Sequence, residues 1–197
     1  MFDRLRLKTK GYVVRDNFLP LDMITEMRNF ALYEPTITAS FSDGYVAKDY
    51  DHGEDPIFTA TRLAEFIKKR SSILRYLKYS RAWSFVYDDH CSGVGPHADH
   101  SKIQVNLWVT PNKCMDSKDK NGLLLYKRKV PKGWTWDQYN GNPQLVQHYL
   151  RHSKFVRIPY KFNRAVIFPG KTFHATDDVS TIPGLKNSRV NYTFLYD

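Results

Sequence analysis

With 197 residues, 42% of them hydrophobic and 15% aromatic, the chain can bury a full core as one domain and is too apolar for a disordered tail. No run approaches the roughly 18 apolar residues that span a bilayer, the charged start MFDRLRLKTK has no apolar stretch behind it, and two cysteines are too few for a disulfide framework. A membrane span, a secretory signal and a disulfide scaffold are therefore not expected, and a reducing cytoplasm is. The net charge of +10 is scattered in groups such as Lys68-Lys69-Arg70 and Lys127-Arg128-Lys129, which reads as solvated surface and leaves nucleic acid open as a partner.

Residues 11–14 read as a short strand and 16–20 as a turn. Apolar residues at Leu21, Ile24, Met27 and Phe30 recur at helical spacing over 21–32. A loop rich in Asp, Gly and Tyr is expected over 40–55, and a second helix over 59–79 with Leu63, Phe66, Ile67 and Leu74 on one side. After Arg81 short apolar or alternating runs take over, at 82–87, 103–110, 123–126, 155–158, 165–168 and 190–196. The exception is 130–154, a long connection with Trp134, Trp136 and Tyr139 and a short helix expected over 143–151. The expected fold is mainly β with packed helices (α+β): a double-stranded β-helix, or jelly roll, with N-terminal helices. One domain covers 1–197, with a helical support region over 1–80 and the jelly-roll core over 81–197.

His97-Ala98-Asp99 is the segment that points to chemistry. On an extended backbone residues i and i+2 share a face, so His97 and Asp99 can grip one ion. His174, just past the apolar run 165–168, is the candidate third ligand. Two imidazoles and one carboxylate leave open positions for a bidentate cosubstrate and O2, the arrangement suited to Fe(II). His90, Cys91 and Cys114 could be imagined around zinc, but without Cys-x-x-Cys spacing. Fifteen positions after His174, Arg189 opens the last strand. A cosubstrate such as 2-oxoglutarate chelates through its keto-acid end and leaves a far carboxylate inside the barrel, which a planar guanidinium pairs with two parallel hydrogen bonds. Lys186 is the alternative partner.

These residues resemble the Fe(II)/2-oxoglutarate-dependent oxygenase superfamily on its prolyl-hydroxylase-like branch. The likeness extends to a bacterial and phage subgroup with Asn106-Leu107-Trp108-Val109-Thr110-Pro111, Trp136-Asp137-Gln138-Tyr139-Asn140 and Asn163-Arg164-Ala165-Val166-Ile167-Phe168. The resemblance implies iron on His97, Asp99 and His174, and cosubstrate contacts from Arg189, Tyr87 and Asn106. It further implies Fe(II) and 2-oxoglutarate, with ascorbate as an auxiliary reductant, in a bacterial or phage-infected cell. The tyrosine common on the third core strand of prolyl hydroxylases is absent here: Asn106, Trp108 and Thr110 alternate instead. The implied reaction is hydroxylation of a C–H bond, first on a peptidyl, prolyl-type substrate; a nucleic acid or a small molecule is the alternative. A jelly-roll module that binds metal or nucleic acid without catalysis is the reading from another class.

Overall fold

The computed structural model describes residues 2–33, 39–41, 44–50, 60–117 and 120–197. In chain order the elements are α1 (Phe2–Lys10), β1 (Val13–Arg15), α2 (Leu21–Tyr33), β2 (Ala39–Phe41), β3 (Tyr45–Asp49), α3 (Ala60–Lys69), β4 (Tyr79–Tyr87) and β5 (His90–Cys91). There follow β6 (Ile103–Trp108), β7 (Leu123–Lys129), α4 (Trp136–Tyr139), α5 (Pro143–Leu150), β8 (Phe155–Ile158), β9 (Ala165–Phe168), β10 (Thr172–Thr176), β11 (Val179–Ser180) and β12 (Arg189–Tyr196). A large antiparallel sheet runs β1-β9-β6-β12-β4-β3-β2, faced by a smaller one, β10-β7-β8. This is the expected jelly roll with helices on one side.

Strand alternation decides what each face does. Val190, Tyr192, Phe194 and Tyr196 of β12 join a buried cluster with Val105 and Leu107 of β6 and with Ile24, Met27, Leu63 and Ile67 of the helices. Two of these tyrosines also anchor the helices by hydrogen bonds, Tyr192 to the Met27 carbonyl (2.7 Å) and Tyr196 to the Ala64 carbonyl (2.9 Å). The residues in between, Arg189, Asn191 and Thr193, face the other way and are nevertheless no more than 3% exposed. This face of β12 is thus buried and polar over Arg189, Asn191 and Thr193.

Some elements differ from the sequence reading. The charged start forms α1, whose Asp3 in the first turn and Lys8 and Lys10 in the last match the helix dipole; Asp3 also pairs with Arg15. The helix expected over 59–79 ends at Lys69, because the chain turns at 71, where the Ser71 hydroxyl accepts from Ile73 N at 3.3 Å. Part of the loop expected over 40–55 is a β2–β3 hairpin. It turns through Gly44 (φ +86), where a Cβ would stand 2.9 Å from Cys91 Cβ. Residues 51–59 lie outside the described residues. The Asn-Arg-Ala motif has a structural job: Asn163, at φ 57, both donates to Leu19 O (2.7 Å) and accepts from Leu19 N (2.9 Å). Arg164 beside it pairs with Asp16, locking the 16–20 turn against the strand that precedes His174.

Candidate metal centre

His97 and His174 come from segments far apart in sequence, and the backbone brings them together. His97 N donates to His174 O at 3.0 Å and His174 N to His97 O at 2.8 Å, an isolated antiparallel bridge that sets the ring centroids 4.3 Å apart. Asp99 N is held to Gly170 O at 2.9 Å. That approach needs glycine at 170, since a Cβ there would lie 2.3 Å from Ser101 Oγ and 2.5 Å from Ser101 O. One ligating atom from each of His97, Asp99 and His174 falls within 4.8 Å of the others, and no other such cluster occurs among the described residues. His90, Cys91 and Cys114 do not gather. His100 donates to or accepts from Tyr139 Oη at 3.0 Å and is not among the cluster.

Each side chain is turned toward a shared centre by what its other end does. His97 Nδ1 lies 2.8 Å from Gly95 O and His174 Nδ1 lies 3.0 Å from Thr172 O, so both rings donate through Nδ1 and present Nε2 as a lone pair. Asp99 Oδ1 accepts from Asn140 Nδ2 at 3.3 Å. Asp99 Oδ2, 3.5 Å from His174 Nε2, is buried with no hydrogen-bond partner. Burial pushes the Asp99 carboxyl upward against the influence of His97, and pushes the His174 imidazole well below its ordinary value, with His97 adding to the shift. Neutral His174 is the form that ligates, and a buried carboxylate oxygen without a partner is what a cation resolves. The donor set fits Fe(II).

Arg189 lies deeper in the same interior, 1% exposed. Its Nε donates to Asn121 O at 2.8 Å and its Nη1 to Asn191 Oδ1 at 2.9 Å, while its guanidinium carbon stands 4.7 Å from the Tyr87 ring centre and 5.7 and 5.9 Å from those of Tyr160 and Trp108. No carboxylate forms an ion pair with it among the described residues. Tyr87 sits opposite Arg189 across the β4–β12 ladder and bonds Thr176 Oγ1 at 3.0 Å. Asn106 shares the inward face, its Nδ2 donating to Thr193 Oγ1 at 3.4 Å and its Oδ1 without a partner. Lys186, by contrast, is exposed.

Trp108 was not singled out as a site residue from sequence. Its indole Nε1 is buried and unpartnered on the same face, as are Gln104 Oε1 and Trp83 Nε1. Orphaned polar atoms of this kind are rare, and Gln104, Asn106, Trp108 and Trp83 each bring one to the face that carries Arg189. The signal in the sequence is the Asn-x-Trp motif itself, Asn106-Leu107-Trp108.

A cleft of about 740 Å³ opens over His97 and Asp99. Phe41 and Tyr45 of the hairpin, Trp83 and Phe85 of β4, and Trp136 of α4 wall it. Of the three aromatics noted in 130–154, only Trp136 reaches the cleft; Tyr139 is buried, and Trp134 packs on Tyr149 and Phe173.

Two histidines and an aspartate thus gather in a jelly roll that also buries an arginine, Arg189. Among solved structures, the chain is similar to the non-heme alpha-ketoglutarate-dependent epimerase SnoN from nogalamycin biosynthesis (14% identity, TM-score 0.70, covering 99% of this chain and 81% of that one). It is also similar to HygX from Streptomyces hygroscopicus with nickel and 2-oxoglutarate bound (11%, TM-score 0.66, 99% and 85%). A prolyl-4-hydroxylase from Pseudomonas putida is a third (11%, TM-score 0.59, 99% and 96%). No protein-family model and no curated protein matches the sequence, so the likeness is one of fold.

Proposed function

We propose that this chain is an Fe(II)- and 2-oxoglutarate-dependent dioxygenase that converts 2-oxoglutarate to succinate and CO2 while hydroxylating a C–H bond. One observation carries the reading: a two-histidine, one-carboxylate cluster shares a polar interior with a buried arginine that has no carboxylate partner among the described residues. Bound Fe(II) would supply O2 activation and a chelation site for the keto acid. His97 and His174 offer Nε2 and Asp99 offers Oδ2. Arg189 pairs with the far carboxylate, held in place by Asn121 and Asn191 and flanked by Tyr87, while Trp108 Nε1 is a further donor within the same pocket. Asn106 completes its polar lining.

For the second substrate, the aromatic walls of the cleft favour a ring-bearing group, and a peptidyl, prolyl-type residue is the reading we adopt. A prolyl hydroxylase from Trichoplax adhaerens, solved in complex with a peptide fragment, is similar in fold (17% identity, TM-score 0.58). A small ring-bearing molecule is the second reading, since structures of SnoN with nogalamycin RO and HygX with hygromycin B share the fold. Nucleic acid is less supported: Arg81 is the one Lys or Arg that lines the cleft among the described residues, and it pairs with Asp49. No described helix is long and apolar enough to cross a membrane. Two cysteines are too few for a disulfide framework, which suits a reducing cytoplasm.

Anaerobic loading with Fe(II) and 2-oxoglutarate should produce a metal-to-ligand charge-transfer band, which proline-containing peptides should perturb. Asp99→Ala and His174→Ala should each remove both the band and succinate formation. Full turnover in either variant would rule out the site, and a wild-type protein with neither band nor succinate would rule out the reaction.

A further inference from the structure

The segment 130–154, with its Trp-x-x-Tyr-Asn run, has a second contact that the cleft does not explain. Where α4 ends, the chain is stitched to the ligand strand by three hydrogen bonds. Ala98 N donates to Tyr139 O at 3.0 Å, and Asn140 Nδ2 donates both to Ala98 O at 2.8 Å and to Asp99 Oδ1 at 3.3 Å. Tyr139 reinforces the seam through its hydroxyl, 3.0 Å from His100 Nδ1. The α4 turn is itself well braced: Thr135 N donates to Gln138 Oε1 at 2.8 Å, and Asn140 N closes on Trp136 O at 2.9 Å. The Asn140 amide is therefore presented to Asp99 from a fixed turn and not from a mobile loop end.

A carboxylate can grip a metal with one oxygen or with both. In this site the two oxygens are unequal, because Oδ1 carries the Asn140 hydrogen bond and Oδ2 carries none. We propose that Asn140 is a positioning residue that occupies Asp99 Oδ1 and so commits Asp99 to ligate through Oδ2 alone, keeping open the coordination positions that cosubstrate and O2 require. The proposal rests on the metal reading of the His97, Asp99 and His174 cluster. Partners of this kind orient ligands, and their loss typically weakens metal binding by about tenfold or more. Without the Asn140 donor, Asp99 would be free to rotate, or to bind through both oxygens and so displace one coordinated water.

Mn(II) serves as the probe, with free Mn(II) followed by its electron paramagnetic resonance signal and bound water counted by water-proton relaxation. Asn140→Ala deletes the donor, and Asn140→Asp keeps the shape while replacing the donor with an acceptor. Thermal unfolding of the metal-free proteins separates loss of fold from loss of positioning. The proposal predicts that both variants fold and that Mn(II) affinity falls roughly tenfold or the number of bound waters falls by one. If both variants keep wild-type affinity and wild-type water count, the proposal is overturned, whatever their melting temperatures. Should Asn140→Ala fail to fold, Asn140→Asp decides by the same criteria, and if neither folds, Asn140 is a folding residue and the proposal fails. Wild-type protein that takes up no Mn(II), or still takes it up after Asp99→Ala, overturns the metal reading itself and this proposal with it.

Discussion

Arg189 shows how much one buried side chain can be asked to do. Its guanidinium is enclosed by Tyr87, Trp108 and Tyr160 and anchored through Nε and Nη1. Charge-assisted hydrogen bonds contribute about 1.5–3 kcal/mol each, which corresponds to roughly one to two orders of magnitude in affinity. Arg189→Ala should raise the 2-oxoglutarate concentration needed for half-saturation by about that factor while leaving metal affinity nearly unchanged, as titrations of both ligands would show. Arg189→Lys should recover little, because an ammonium cannot replace the fork. Unchanged cosubstrate affinity in Arg189→Ala would move the role to another residue. The candidate metal residues His97 and Asp99 were legible in the sequence because His-x-Asp on an extended backbone puts both side chains on one face. Trp108 and Asn140 were not, since nothing in a sequence tells which polar atoms folding leaves unpartnered or which amide lands on a ligand oxygen.

Among elements, the turn over 16–20 and the strand β9 are fastened by Asn163 and by the Asp16–Arg164 and Asp16–Lys161 pairs. The Arg164 side chain beside Asp16 holds its carboxyl below the ordinary 3.8, at about 2, with Lys161 assisting and partial burial opposing. A carboxyl with a depressed value stabilises the fold fully above its unfolded value and loses that contribution as pH falls through the folded one. Asp16→Asn should therefore be less stable than wild type at pH 7, and the gap should close between about pH 4 and pH 2, as urea unfolding at several pH values would reveal. A gap that stays constant to pH 2 would show that the Asp16 charge is not its source. The β-rich half was readable from its short alternating runs, and α2 and α5 from spacing and punctuation. The missed elements share a cause. α1 has little apolar periodicity and owes its helix to charge placement and the Asp3–Arg15 pair, and the β2–β3 hairpin is held by pairing with β4, a long-range contact outside any local window.

For the whole molecule, a metal at His97, Asp99 and His174 would cross-link β10 to the segment between β5 and β6 and bind only the folded form. Saturation at a hundred times the dissociation constant adds about 2.7 kcal/mol, or roughly 5–10 °C in melting temperature for a protein of this size. Scanning calorimetry with and without Mn(II) should show that rise, and Asp99→Ala should abolish it. A second global property follows from where β12 lies. It comes after every other strand in the chain, yet it is hydrogen-bonded between β6 and β4, in the middle of the large sheet. While a ribosome is still delivering the earlier strands, the flanks of β4 and β6 destined for β12 have no partner, and the helices lack the tyrosines that anchor them. Unpaired strand flanks of that kind invite association with other chains. The large sheet therefore closes only when β12 slots in, and Arg189 arrives on the same strand that completes it.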